Sequence, residues 1–259
     1  MKFITKLFLL IFVMSNAFSQ QISKENFHLY LLAGQSNMAG RGKVDSLSKQ
    51  THPRVLMLNK ANEWVPAADP MHFDKPSAGV GLGLTLGKIL AETDPNIVIG
   101  LIPCAVGGSS IDAWKPDSIH RQTMTFPWND AIKRTNIALE KGTLKGIFWH
   151  QGEADCSPKK VINYEAKLVD LVKRFRTEFK QNNLPFVAGT LSEFWTVWNP
   201  DANAINLIIN NLPNKIPFSA VANSSGLTAQ TDKTHFDTES AKILGKRYAE
   251  AFLKMNKKP

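Results

Sequence analysis

A succession of short apolar runs, each stopped by glycine, proline or a polar turn, limits this chain to a fold built on buried strands. The first run covers residues 27–33 and stops at Gly34; others cover 54–58, 96–102, 144–150, 184–191 and 218–222. Runs without polar alternation suit strands covered on both faces of a parallel sheet. Between them the apolar spacing is helical. Leu82, Leu86, Ile89 and Leu90 predict one helix, residues 128–141 another, and Leu168, Leu171, Val172, Phe175 and Phe179 a third within 161–180. Residues 202–211 predict a fourth. Asp237 is placed to cap a last helix running to about residue 255, with Ile243, Leu244, Tyr248, Phe252 and Leu253 facing inward. Strands alternating with helices imply βαβ units, hence an α/β fold with a mostly parallel sheet covered on both faces.

A length of 259 residues with 43% hydrophobic content is enough for one substantial core, and a single domain over residues 20–259 is expected. Residues 1–19 read as a signal peptide. Lys2 and Lys6 precede an apolar run over 7–14, and Ala17-Phe18-Ser19 offers small residues for cleavage after Ser19. That run is short of the roughly 20 residues that span a bilayer, and no cysteine follows for a lipid anchor. Export to the periplasm or beyond, without a membrane anchor, is the expectation.

The formal charge of +9 does not point to nucleic acid, because Lys and Arg are spread along the chain without a basic run interleaved with aromatics. Cys104 and Cys156 are the only cysteines; a disulfide and two lone thiols are both open, and neither has metal-ligand spacing. The glycines at 79, 81 and 83 lack the gap of a dinucleotide loop and read better as sites of close helix packing.

The residues with chemistry fall at strand ends, the edge where open α/β sheets bind ligands. Ser36 lies just past the first strand, after Gly34 and Gln35. A neutral serine needs a general base and a group to orient that base. Asp232 and His235 supply both in one polar turn before the last helix. His150, at the end of a strand, is the rival base, and Glu153 is a rival acid. Donors for an oxyanion are available from the backbone of Ser36, from Gly107 or Gly108, and from the side-chain amide of Gln151. His150 and Glu153 lack further ligands nearby, so no metal is expected.

These blocks carry a resemblance. Gly34-Gln35-Ser36-Asn37-Met38-Ala39-Gly40, Pro103 with Gly108-Ser109-Ser110, His150-Gln151-Gly152-Glu153, and Asp232 with His235-Phe236 resemble, in order, the blocks of SGNH-type hydrolases. The version is that of acetylxylan esterases of carbohydrate esterase family six and of sialate O-acetylesterases. The resemblance spans about 27–255. It implies a flavodoxin-like three-layer α/β/α sandwich and removal of O-acetyl groups from sugars with no cofactor. It assigns Ser36, His235 and Asp232 to the triad, and Ser36, Gly108 and Gln151 to the oxyanion hole. Gln151 stands where the SGNH name has asparagine, which leaves Asp232 and Glu153 both open as the orienting acid, with Asp232 favoured by its local spacing.

The expected partner is an acetylated oligo- or polysaccharide. Gln35 and Asn37 beside the serine, and Trp114, Trp195 and Trp198 in loops after strands, are candidate substrate contacts. Acetylated xylan or its fragments is the first substrate reading and O-acetylated sialic acid the second. A glycan-binding module without chemistry is the reading of another class, disfavoured by the presence of all three triad residues.

Overall fold

The structure, a computed structural model, describes residues 22–256. The segment read as a signal peptide, with its expected cleavage site, lies outside the described residues. The strands are β1 (Phe27–Gly34), β2 (Val55–Leu58), β3 (Trp64–Pro66), β4 (Val98–Pro103), β5 (Thr143–His150), β6 (Phe186–Gly189) and β7 (Ser219–Ala222). They form one seven-stranded sheet in the order β3-β2-β4-β1-β5-β6-β7. Only β3 runs antiparallel. Without the β2–β3 hairpin, the remaining five strands have the flavodoxin order, and the hairpin extends the sheet beyond β4. The short strand β3 was not predicted, because its three residues are only partly buried.

The helices are α1 (Ser36–Ala39), α2 (Gly83–Ala91), α3 (Pro127–Leu139), α4 (Pro158–Val161), α5 (Tyr164–Glu178), α6 (Glu193–Thr196), α7 (Asp201–Lys215) and α8 (Thr238–Asn256). Side chains alternate along a strand, so the unbroken apolar run of β1 feeds two cores at once. Leu29, Leu31 and Ala33 pack with Trp128, Leu168, Phe175, Ile205 and Ile209 of α3, α5 and α7. Tyr30 and Leu32 pack with Leu86, Leu90, Leu244, Tyr248 and Phe252 of α2 and α8. The result is the expected three-layer sandwich.

Gly87 explains one approach of helix to sheet: a Cβ there would lie 2.9 Å from both Leu101 and Val55 side chains. Asp237 caps α8 as expected, its Oδ1 accepting the Ser240 N–H at 2.8 Å. Two helical expectations need correction. Ile243 is 44% exposed on the outer face of α8. The helix expected from residue 161 starts at Tyr164, with the separate turn α4 before it and Ile162 exposed between them. Cys104 and Cys156 are both free, and burial pushes their thiols up to about 11 and about 12.

The chain leaves β1 toward β2 and β4 and then returns past it to β5. This reversal opens a crevice at the carboxyl ends of β1, β4 and β5, where the candidate residues collect. Gly34 permits it: with φ of 130°, a Cβ there would overlap the His150 carbonyl.

Candidate active site

Ser36 opens α1 two residues beyond the end of β1, so its position is set by the central strand. Its Oγ lies 2.9 Å from His235 Nε2, and His235 Nδ1 lies 2.7 Å from Asp232 Oδ2. A carboxylate only accepts, so the imidazole hydrogen sits on Nδ1 and Nε2 is left to accept the Ser36 hydroxyl. Asp232 Oδ1 also accepts the N–H groups of Thr234 and His235. Lys233, with φ of 56°, makes the reversal that brings those N–H groups onto the carboxylate. Burial pulls the Asp232 carboxyl upward, but the bonds from the His235 ring and from these backbone groups outweigh it and hold the acid below the usual carboxylate range.

Glu153 does not bond His235. Its Oε1 accepts Asn37 Nδ2 at 2.6 Å, and its Oε2 has no partner among the described residues. Burial pushes the Glu153 carboxyl up. Asn37 Oδ1 accepts the Phe236 N–H, and Asn37 Nδ2 also reaches the Thr234 carbonyl. Asn37 therefore holds the peptide groups on both sides of His235 and is buried among them. It is part of the frame that carries the histidine. His150, the rival base, is fully buried: its Nδ1 faces Tyr248 Oη at 3.0 Å, and burial lowers its pKa to about 3. The Tyr248 hydroxyl donates to the Trp149 carbonyl, so His150 donates to it and stands apart from Ser36.

The serine faces a cleft of about 350 Å³ lined by Gln35, Arg41, Lys75, Gly107, Gly108, Glu153, Ala154, Trp195, Thr234 and His235. Of the two glycines, Gly107 donates its N–H to Asp74 Oδ2 at 2.8 Å, and that carboxylate also holds Arg41 at 2.6 Å. The N–H groups of Ser36 and Gly108 meet no acceptor among the described residues. Gln151 is fully buried behind the cleft. Its Nε2 faces Asp155 Oδ2 at 2.6 Å, the Ser109 carbonyl at 3.1 Å and Gln35 Oε1 at 3.2 Å.

The tryptophans separate. Trp114 lies wholly in the core, edge-on to Trp149 with its Nε1–H donated to Ser109 Oγ, so it cannot meet a substrate. Its loop folds inward as a 3₁₀ turn at Ile111–Trp114. Trp195 forms part of the cleft wall. Trp198 is 64% exposed, with the Lys233 ammonium 5.2 Å from its ring centre. It borders a second hollow of about 320 Å³, shared with Trp195, Asp232, Lys233 and Thr234. Arg41, Asp74 and Lys75 were not singled out from sequence. They come from polar loops without periodicity, and only the folded chain brings them to the cleft.

Among the described residues no group of three or more His, Cys, Asp or Glu side chains is arranged to hold a metal, and no helix is long and apolar enough to cross a membrane.

Residues 26–254 match the family model of carbohydrate esterases described as sialic acid-specific acetylesterases. The chain belongs to this family. It is an enzyme of the carbohydrate O-acetylesterase class. A similar protein is the probable carbohydrate esterase At4g34215 of Arabidopsis thaliana, 28% identical over 248 residues, covering 87% of this chain and 90% of the relative. The solved structure of that Arabidopsis protein superposes with a TM-score of 0.79 at 25% identity, covering 89% of this chain and 98% of the other. The fold is also shared with NanS, at a TM-score of 0.71, 21% identity and coverage of 90% and 98%. A carbohydrate acetylesterase of Xanthomonas citri, XAC1771, follows at 0.68 and 19%, with 86% of this chain matched to 55% of the other.

Proposed function

We propose that this acetylesterase works through an acetyl-Ser36 intermediate. The observation that carries the reading is the continuous chain from Asp232 through His235 to Ser36, with bonds of 2.7 and 2.9 Å, at the floor of a cleft with two unpaired N–H groups. In this mechanism Ser36 Oγ attacks the acetyl carbonyl carbon while its proton passes to His235 Nε2. Asp232 stabilises the imidazolium so formed. The carbonyl oxygen becomes an oxyanion beside the N–H groups of Ser36 and Gly108, where preorganised donors favour the transition state over the ground state. When the tetrahedral species collapses, the bond to the sugar oxygen breaks and His235 returns the proton to that oxygen. Water then attacks the acetyl-serine with the same base, releasing acetate and restoring Ser36.

For the substrate, the family match favours O-acetylated sialic acid, and Lys75 on the cleft wall offers a cation to its carboxylate. Acetylated xylo-oligosaccharide is the second reading. It is supported by Trp198, whose exposed ring adjoins the cleft where a further sugar of a chain would extend. The export signal read in residues 1–19 agrees with either glycan as an extracellular or periplasmic substrate. Acetate release from O-acetyl sialic acid, acetylated xylan and acetylated mannan tests the reading: release from one or more is expected, and release from none would overturn it.

A further inference from the structure

Two consecutive glycines carry the Gly108 donor, and glycine is the most permissive residue of the backbone, so the turn has to be held from outside. The Val106 N–H donates to the Gly34 carbonyl at 2.9 Å and the Ser109 N–H to the Val106 carbonyl at 3.2 Å, which places Gly107 and Gly108 at the centre of a turn. Gly108 has a φ of 82°, the positive value that a type II turn requires there. The Gly107 N–H is taken by Asp74 Oδ2 at 2.8 Å. Across Val106–Ser109, only the Gly108 N–H meets no acceptor among the described residues.

Arg41 holds Asp74 in turn. Its Nη2 donates to Asp74 Oδ2 at 2.6 Å, and its Nη1 donates to the Gly40 carbonyl at 2.7 Å. The Gly40 N–H closes α1 on the Ser36 carbonyl at 2.8 Å. One guanidinium therefore ties the helix that begins with the nucleophile to the carboxylate that grips the glycine turn. The two side chains are only 7% and 1% exposed, and a Cβ on Gly107 would overlap both. A buried ion pair is a costly way to stabilise a fold, since apolar residues of similar volume often do as well or better. Its placement between the Ser36 and Gly108 donors gives this pair another use.

We propose that Arg41 and Asp74 are positioning residues of the oxyanion hole: Asp74, fixed by Arg41, supplies the acceptor that holds Gly107 and so keeps the Gly108 N–H aimed at the acetyl carbonyl oxygen beside Ser36. This rests on the esterase reading of the same site. A donor held in place before the reaction needs no reorganisation as charge develops, which raises kcat and leaves ground-state binding little changed. The base turn is tied to Arg41 through its backbone alone. The Arg41 carbonyl accepts Gln230 Nε2, and the Gln230 N–H donates to the His235 carbonyl. Substituting the Arg41 side chain leaves that link in place.

The test is steady-state hydrolysis of para-nitrophenyl acetate across pH, with thermal unfolding, by the full chain, Ser36→Ala and two double variants. Arg41→Met with Asp74→Asn removes both charges and keeps an amide oxygen for Gly107. Arg41→Met with Asp74→Leu removes the acceptor as well. The Asn pair is expected to keep kcat within about tenfold of the parent. The Leu pair is expected to fall about 10–10² below the Asn pair in kcat, with KM within about threefold, since outright loss of an oxyanion donor costs about 10²–10³. The acid limb of kcat/KM, set by His235, is expected to coincide in the two pairs. A merely structural pair would move the unfolding temperature and leave kcat alike in both folded variants. If Ser36→Ala is inactive and a folded Leu pair stays within about threefold of the Asn pair in kcat, the proposal is overturned while the esterase reading stands. A loss that appears in KM alone, or a displaced acid limb in the Leu pair, overturns it too. Should the Leu pair not fold, Asp74→Val replaces Asp74→Leu under the same criterion. An inactive parent chain, or a Ser36→Ala variant as active as the parent, overturns the esterase reading and the proposal with it.

Discussion

Glu153 bonds Asn37 at 2.6 Å, and Asn37 in turn bonds the peptide groups on either side of His235. The buried carboxylate thus acts on the frame of the histidine, while the imidazole takes its orienting bond from Asp232. Two acids that the sequence left as rivals have separate places. Asp232→Asn is expected to lower kcat by about 10⁴, because an amide can stabilise the wrong imidazole tautomer and cannot balance the imidazolium. Glu153→Gln, which still offers an oxygen to Asn37, is expected to lose less than about tenfold. Parallel kcat measurements check the order, and a reversed order would make Glu153 the orienting acid.

Removing the clamp itself has a different signature. Asn37→Ala leaves the Phe236 N–H without its acceptor and Glu153 without its donor, both in buried surroundings. Each orphaned buried group costs about 1–3 kcal/mol, so denaturant unfolding should show a loss of that order. kcat should fall as well, since the turn bearing His235 loses its support. Unchanged stability in this variant would contradict the clamp.

Much of this arrangement is legible in the chain, and the reasons differ by element. The first strand could be read because its two faces are both buried, which leaves an unbroken apolar run, and Asp232 and His235 because their pairing is local. The partnership of Asn37 and Glu153 could not be read, because 116 residues separate them and only the sheet order brings β1 and β5 side by side. Tryptophan is ambiguous for the same reason: Trp114 and Trp198 both follow strands, yet one packs on Trp149 and the other faces solvent. The glutamines show a further limit. Gln151 sits in the motif, but the direction of an amide depends on its neighbours, and these turn its amino end onto Asp155 and the Ser109 carbonyl.

Trp198 gives a prediction about substrate length. A sugar stacked on its exposed ring would gain about 0.5–1.5 kcal/mol, by analogy with aromatic pairs, or about two- to tenfold in KM. Trp198→Ala should raise KM for acetylated xylo-oligosaccharides by that factor and leave para-nitrophenyl acetate unchanged. Equal effects on both substrates would remove the ring from glycan binding.

Asp69 makes stability depend on pH. It is buried, and burial pushes its carboxyl up to about 7. In the unfolded chain the ordinary value is about 3.9, so between these two values the folded state holds the proton and the unfolded state does not. Stability from this group is therefore greatest at acid pH and falls as pH rises through that window. Asp69→Asn, which cannot ionise, should gain on the order of a few kcal/mol relative to the parent near pH 8 and almost nothing near pH 4. Urea unfolding at the two pH values checks the sign; a gain that is larger at acid pH would contradict it.

The most direct test of the account is the covalent intermediate. The chain is mixed with para-nitrophenyl acetate, quenched in acid, digested and examined by mass spectrometry. The account predicts one acetyl group on the peptide containing Ser36, absent from Ser36→Ala and accumulating in an Asp232→Asn variant only as slowly as its activity allows. An acetyl group on another residue, or acetate release by Ser36→Ala at the parent rate, would contradict it.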